Sequence, residues 1–540
     1  MPAYPFFEDY VLTDDGVSIL TRVIVPLNYV PGAKMPCVLH RTPYESAGDE
    51  VLFDPSTLGR PFGDFLDRGY IVVNQHCRGT GGSTGVFRNM QNEREDSLST
   101  LEWIRKRTWY NGEIYLYGNS YKSFVHSTIL GLNPPDVKGA VLAVMPANQQ
   151  QGCYEKRTFK HDLITFWFTK TFMKKQVNVS EINRRMYAEL PKRPLETIDK
   201  RVYGFEIPQL IDMYKSEFPE DSFWTDPATG NGQAAEAPEK THIPLLLVGG
   251  EYDIHYNGTL QYFLSIPEEH RKNCALFMGP WTHSLKTLPE HAKFFPASGH
   301  PPVEAEWFDH LRLGYPLNYV TKGLVTYYRP GEGWRRAETI GEGSVPSLTL
   351  YPDAEGHLLE TPSEGSRSYI YDPEDPLNLP GGPSVFQTAA RGPQIQPEPD
   401  SRQDLLSFIS APFQKKIMLD GEIEAELEIS SDCPDTAFFV RFDVIRKGEA
   451  WCIRDTIMSV SHCIDDYVPG TRRKIRLVID PVTWCLQPGD CIRMDVSSSD
   501  YPCYQTHSNT AEPWYSAVET RIAHNTVYTE GSKFVFSVSE

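Results

Sequence analysis

The chain has no uninterrupted apolar run of about 18 residues, so no transmembrane helix is expected. Its first residues, "MPAYPFFEDYVLTDDG", contain neither a basic start nor an apolar core. No secretory signal is visible in them, and the chain is expected to be cytoplasmic. Metal-binding patterns are missing too: there is no C-x-x-C pair, no H-E-x-x-H and no EF-hand loop, so no metal is expected. The ten cysteines are scattered, with Cys433, Cys452, Cys463, Cys485, Cys491 and Cys503 in the last quarter; they read as reduced thiols. Positive charge is scarce. Lys plus Arg number 52 against 71 Asp plus Glu, a formal charge of −19 that repels nucleic acid and anionic membrane surfaces. No nucleic-acid or membrane partner is therefore expected, and no internal repeat is visible.

What is present is a long chain of 540 residues, too many for one core, with 12% aromatics available for buried clusters and pockets. Residues 1–150 alternate short apolar runs with helical patterns. "PCVLH", "GYIVVNQ", "IYLYG" and "GAVLAVMP" suit strands of a parallel sheet buried on both faces. "EDSLSTLEWIRKR" carries Leu98, Leu101 and Ile104 at intervals of three, acids first and bases last, and predicts an amphipathic helix. Residues 151–240 change character. "DLITFWFTKTFMKKQ" and "SEINRRMYAELPKR" read as helices of an inserted cap, and the Pro/Gly/Ala-rich "DPATGNGQAAEAPEK" returns the chain to strand "PLLLVGG". Residues 241–345 complete the α/β unit with "ALFMGP". Residues 346–540 alternate apolar and polar residues between turns, the pattern of an antiparallel β-sandwich or jelly roll, with a long proline- and glycine-rich loop at "DPEDPLNLPGGPSVF". The expected fold class is α/β: an α/β-hydrolase domain with a helical cap, then a C-terminal β jelly roll.

The chemistry centres on "IYLYGNSYKS". The usual nucleophile elbow reads G-x-S-x-G. Here Gly118 and Ser120 fit, but Lys122 takes the place of the last glycine. A serine after a strand is by itself a turn residue as readily as a nucleophile. Acyl hydrolysis needs that serine, a histidine and an orienting carboxylate, and α/β-hydrolases supply them at strand ends in the order Ser, Asp/Glu, His. Ser120 follows "IYLYGN", Asp253 follows "PLLLVGGEY" and His283 follows "ALFMGPWT". Singly, Asp253 could cap a helix and His283 could be any of the 15 histidines; together, three segments in the right order predict a catalytic triad. "GTGGSTG", Gly79 to Gly85, imitates a dinucleotide loop, but its spacing is not G-x-G-x-x-G and no helix clearly begins there.

"RTPYES", "RGTGGSTGVF", "LEWIRKRTWYNGEIYLYGNSY", "LLLVGGEYD", "GPWTH" and "SSSDYP" are similar to segments of the cocaine esterase-like (CocE/NonD) hydrolases. That group is related to the X-prolyl dipeptidyl peptidases and the α-amino acid ester hydrolases. The resemblance spans nearly the whole chain. It implies Ser120 as nucleophile, His283 as general base and then acid, Asp253 as the orienting carboxylate, and no cofactor. It also implies an oxyanion hole made by the Tyr121 N–H and the Tyr44 hydroxyl. Tyr44 follows strand "PCVLH", and a phenol stays protonated at neutral pH, so it can donate. In the same family Arg78 and Ser83 organise the first strand ends. One departure stands out: the family usually has glycine where this chain has Ser123, so a slightly shifted elbow is expected, with Ser120 still usable.

For the substrate side, cap residues Tyr154, Phe166, Trp167 and Phe168 are candidate pocket linings, as are Tyr252 and Ile254 beside the triad acid. Glu251 alone is not the acidic cluster that amino-ester hydrolases use. Hydrolase strands beginning within the first 40 residues argue against the X-prolyl subtype with an extra N-terminal domain. The expected activity is cleavage of small carboxylic esters, or amides, through an acyl-enzyme. Acyl transfer by the same nucleophile and a binding protein that kept the fold stay open. An exposed sandwich face would allow a homodimer.

Overall fold

The computed structural model describes residues 4–44, 60–172, 179–226, 230–285, 300–383 and 392–539. The first body is built on one sheet: β1 (Phe6–Leu12), β2 (Ser18–Ile24), β3 (Met35–Thr42), β4 (Ile71–His76), β5 (Tyr110–Asn119) and β6 (Val137–Ala143), then, after the short hairpin β7 (Tyr154–Glu155) and β8 (Thr158–Phe159), β9 (Leu245–Tyr252), β10 (Ala275–Thr282), β11 (Val325–Arg329) and β12 (Gly333–Ala337). The spatial order is β1-β2-β4-β3-β5-β6-β9-β10-β11-β12. Its middle, from β4 through β11, is parallel, and β1, β2 and β12 pair antiparallel at the edges. The apolar runs end up buried on both faces, as a sheet covered by helices requires.

Ligands in such sheets bind beyond the carboxyl ends of the strands. β9 and β10 pair in parallel with a bulge between Gly279 and Thr282 that brings Thr282 opposite Tyr252, so the next residues, Asp253 and His283, leave the sheet side by side.

The helix at Glu93–Arg105 forms as the pattern predicts, with one correction. Leu101 and Ile104 are buried but Leu98 is exposed. A spacing of three falls short of the 3.6-residue turn, so the series drifts round the helix and its first member, Leu98, lies off the buried face. Glu93 and Asp96 in its first turn are buried instead of solvated. Arg41, fully buried on β3, meets Glu93 at 3.2 Å and Asp96 at 3.7 Å, and Arg78 meets Asp96 at 2.6 Å and Asp15 at 2.6 Å. The glycine-rich loop beside Arg78 is structural: Ser83 Oγ accepts from the Leu20 N–H at 2.9 Å and donates to the His76 carbonyl at 3.2 Å.

Between β6 and β9 the chain is helical, including His161–Phe172, Val179–Glu189 and Pro208–Lys215. The Pro/Gly/Ala-rich stretch expected only to return the chain to the sheet instead forms a helix, Gly230–Lys240. Its buried Ala234 and Ala237 have side chains small enough for close approach, and a Cβ at Gly131 would lie 3.8 Å from the Ala237 Cα.

The C-terminal body is antiparallel β apart from one parallel pair. It comprises β13 (Val345–Pro352), β14 (His357–Leu359), β15 (Ser366–Tyr371), β16 (Leu406–Ser410), β17 (Ile417–Ser431), β18 (Ala437–Arg446), β19 (Glu449–Ser459), β20 (Arg473–Leu486), β21 (Cys491–Ser497) and β22 (Ala523–Ser539). The polar members of the alternation on β18 and β21 are not solvated. Arg441 pairs with Asp455 at 2.9 Å and Asp500 at 2.8 Å, and Arg493 pairs with Asp495 at 2.8 Å, all buried. Among the described residues no helix is long and apolar enough to cross a membrane.

Removing a partner from a buried ion pair leaves an uncompensated charge. Asp96→Ala is expected to destabilise the protein by about 3–5 kcal/mol, the usual loss when one partner of a buried pair is removed. The check is the thermal unfolding midpoint; an unchanged midpoint would show that Arg78 and Arg41 rehydrate freely.

Candidate active site

β5 delivers Ser120 to the rim and the helix Tyr121–Leu130 carries the chain away. The reversal puts Ser120 at φ 57°, ψ −133°, a strained backbone for a residue with a Cβ. Gly118 makes the turn feasible: a Cβ there would lie 2.4 Å from the Lys122 carbonyl oxygen. The Ser120 N–H is tied to the Ala143 carbonyl on β6 at 2.8 Å.

Ser123 is fully buried, and its hydroxyl is absorbed by the backbone. Its Oγ accepts the Ala143 N–H at 2.9 Å, and it has two carbonyls in reach for its own proton, Gly118 at 2.7 Å and Ala143 at 3.0 Å.

Asp253 follows β9 and is 1% exposed. Its Oδ1 accepts from His283 Nδ1 at 2.8 Å and from the His255 N–H at 3.2 Å. Burial pushes this carboxyl up, but the His283 ring and these hydrogen bonds outweigh it and hold it below the usual range. With Nδ1 donating to Asp253, the other ring nitrogen of His283 is left to accept, and Nε2 lies 3.0 Å from Ser120 Oγ. The three predicted residues thus meet in space.

Tyr121 heads its helix, where the first N–H groups lack intrahelical acceptors. Its phenol is anchored elsewhere: it accepts from the Met90 N–H at 2.9 Å and lies 3.1 Å from Glu93 Oε1, which ties the helix after Ser120 to the buried ion cluster. Tyr44 lies two residues beyond β3, half-buried. Its hydroxyl oxygen accepts from Trp167 Nε1 at 3.1 Å. Trp167 in turn lies against Tyr121, with ring centroids 5.3 Å apart, so cap and elbow are joined through these three aromatics.

The pocket candidates separate. Ile254 and Tyr154 line a cavity of about 620 Å³ enclosed by the cap, the turn after β9 and the sandwich. Tyr154 also has a supporting role, its hydroxyl 2.8 Å from the Met213 carbonyl. Phe168 is buried in the cap core, and the side chain of Phe166 lies outside the described residues. Tyr252 is a correction: it packs into the apolar core of the sandwich, away from the cavity wall. Strand alternation explains this, since Tyr252 and Asp253 point opposite ways at the strand end. Glu251 is buried against Thr483, 3.2 Å away, and burial pushes its carboxyl up to about 8.

One neighbour was not legible in the sequence. His255 stands edge-on to His283 with ring centroids 5.6 Å apart, and burial pushes it down to about 3, which keeps it neutral. Its only sequence signal is its position two residues after Asp253. Among the described residues no group of three or more His, Cys, Asp or Glu is arranged to hold a metal ion.

Comparison with known proteins places this geometry. The family X-Pro dipeptidyl-peptidase (S15 family) matches residues 15–285, and the X-Pro dipeptidyl-peptidase C-terminal non-catalytic domain matches residues 323–533. The chain belongs to the S15 family. It is therefore a hydrolase. Among relatives of this S15 chain, a cocaine esterase of Rhodococcus sp. (strain MB1 Bresler) is 24% identical over 561 residues, covering 92% of this chain and 94% of that one. An α-amino acid ester hydrolase structure superposes with a TM-score of 0.83 at 21% identity, covering 99% of this chain and 97% of that one. An aminopeptidase from a marine sediment archaeon, Thaumarchaeota archaeon, also gives 0.83, at 19% identity and 100% and 97% coverage. Both superpositions establish the shared fold.

Ser123→Ala would leave the buried Ala143 N–H without its hydroxyl acceptor. The expected cost is about 1–3 kcal/mol of stability, read by denaturant unfolding. Loss of less than about 0.5 kcal/mol would mean the backbone re-pairs without the hydroxyl.

Proposed function

We propose that this hydrolase cleaves small carboxylic esters through an acyl-enzyme on Ser120. The observation that carries the reading is the line of two hydrogen bonds, Ser120 Oγ to His283 Nε2 at 3.0 Å and His283 Nδ1 to Asp253 Oδ1 at 2.8 Å. His283 Nε2 takes the Ser120 proton as Oγ bonds to the ester carbonyl carbon. Asp253 stabilises the imidazolium that results. The developing oxyanion is received by the Tyr121 N–H and the Tyr44 hydroxyl. Trp167 supports the second donor: by donating to the Tyr44 oxygen it leaves the phenol's own proton to point elsewhere. Collapse of the tetrahedral adduct expels the alcohol, which takes the proton from His283. Water then repeats the sequence and releases the acid.

Amides fit the same steps, with a poorer leaving group. All ten cysteines are free thiols, which supports a reducing, cytoplasmic setting.

A fluorophosphonate probe together with p-nitrophenyl acetate tests the reading. Wild-type protein is expected to be labelled and to turn over the ester, and Ser120→Ala to do neither while keeping its melting temperature within a few degrees. Labelling without turnover would favour acyl transfer, and turnover by Ser120→Ala would remove the triad assignment.

Two further variants grade the oxyanion hole. Tyr44→Phe is expected to lower kcat about 100- to 1000-fold. Trp167→Phe keeps the aromatic contact and loses one neutral hydrogen bond, for an expected drop of about 2- to 12-fold. Equal kcat values for Tyr44→Phe and wild type would remove Tyr44 from the hole.

A further inference from the structure

The cavity beside the triad holds an arginine that the chemistry above does not use. Arg454, on β19 of the sandwich, lines that cavity together with Asp253, Ile254 and His255. It is 9% exposed. Its Nε is buried without a hydrogen-bond partner, and the guanidinium forms no ion pair with any described residue. Its guanidinium carbon lies 3.8 Å from the centroid of the Tyr256 ring. A buried, unpaired guanidinium is costly unless something compensates it, and the usual compensation is a carboxylate.

Glu251 and Asp480 lie close enough to feel its charge, but no described acid makes a direct ion pair with it. Asp455 is engaged by Arg441 at 2.9 Å and by Tyr504 at 3.0 Å. Glu155 is engaged by Lys156 at 2.9 Å and by Thr456 at 2.9 Å. Glu251 is pushed up by burial to about 8 against the pull of Arg454, and no hydrogen bond or ion pair joins the two. Asp480 lines the same cavity; burial and Glu155 push it up to about 6 while Lys156 and Arg454 pull it down, but no hydrogen bond or ion pair joins it to Arg454.

We infer that Arg454 is the anchor for a carboxylate carried by the substrate, so that the preferred ester is a singly anionic one. The inference rests on the esterase reading and adds its substrate class. A guanidinium lying over an aromatic ring keeps its edge open for a planar, two-oxygen partner. The acids nearby disfavour a dianion, which points to a carboxylate and away from phosphate. The cavity borders the triad residues through Asp253, Ile254 and His255 in its wall, and the His255 ring is 5.6 Å from that of His283.

The test is a comparison of kcat/KM on matched esters. The neutral reference is p-nitrophenyl butyrate. The anionic probes are the mono-p-nitrophenyl esters of succinate, glutarate and adipate, with the charge on the acyl side, and 4-acetoxybenzoate, with the charge on the alcohol side. Wild type is expected to prefer at least one anionic probe. In Arg454→Met the ratio of anionic to neutral kcat/KM is expected to fall about 10- to 150-fold, mainly through KM, as for loss of a hydrogen bond to a charged group. Arg454→Lys keeps the charge and the Tyr256 contact and is expected to fall between the two. A ratio that moves less than about twofold in both variants overturns the anchor and leaves Arg454 a link between the two bodies.

Glutarate binding to the full chain, measured by calorimetry, separates the two claims. Binding that weakens in Arg454→Met supports the anchor even if no ester is turned over, a result that would count against the esterase reading alone. Absence of glutarate binding together with no ester preference overturns the anchor.

Discussion

The reversal of the backbone at Ser120 is the constraint on which the site depends. A positive φ at a residue with a Cβ costs about 1–3 kcal/mol and persists only where the surroundings impose it. Here they do so from both sides. β5 is held between β3 and β6, and every residue of the following helix is buried, so neither flank can relax. Gly118 removes the one Cβ that would collide with the returning chain. The result is a hydroxyl held at the sheet rim by the fold and not by its own rotamer preference.

The partners arrive by register. β6, β9 and β10 run parallel and adjacent, so their carboxyl ends share one rim. The pairing of Tyr252 with Thr282 puts Asp253 and His283 next to each other before any side-chain interaction acts. The 2.8 Å bond between them therefore reflects sheet geometry first and electrostatics second. Buried charge then stiffens the frame: the Arg41, Glu93, Asp96 and Arg78 cluster holds the helix whose first turn receives the Tyr121 phenol.

Legibility in the sequence followed the same physics. Short apolar runs marked the strands because both sheet faces are buried, and residues just past those runs marked the triad because strand ends converge. The sandwich was legible from its alternation. What escaped depends on rotation and on distant contacts. Leu98 sits on the predicted helix but off its buried face. Gly230–Lys240 has helix-breaking composition yet forms a helix, because its small residues pack closely. Tyr252 neighbours the triad acid in sequence and faces the other way. The Ser123 hydroxyl reads as a packing intrusion and turns out to be a backbone acceptor. Arg454 carries no local signal at all, and His255 only its place two residues after Asp253.

The bodies divide the proposed chemistry from much of the cavity wall. The proposed nucleophile, base, acid and oxyanion donors all come from strand ends of the first body, where their spacing is set by the sheet. Much of the cavity wall comes from elsewhere: Tyr154 from the cap, Arg454 from β19 and Asp480 from β20 of the sandwich. Substitutions on those walls leave the sheet register untouched, and with it the distance from Ser120 to His283. Selectivity can therefore change through residues more than 300 positions from the nucleophile, such as Arg454, without a matching change in the chemistry at the rim. The cost falls on the sandwich, which must carry a buried charge without a direct ion pair, and the Tyr256 ring over which Arg454 lies lowers that cost.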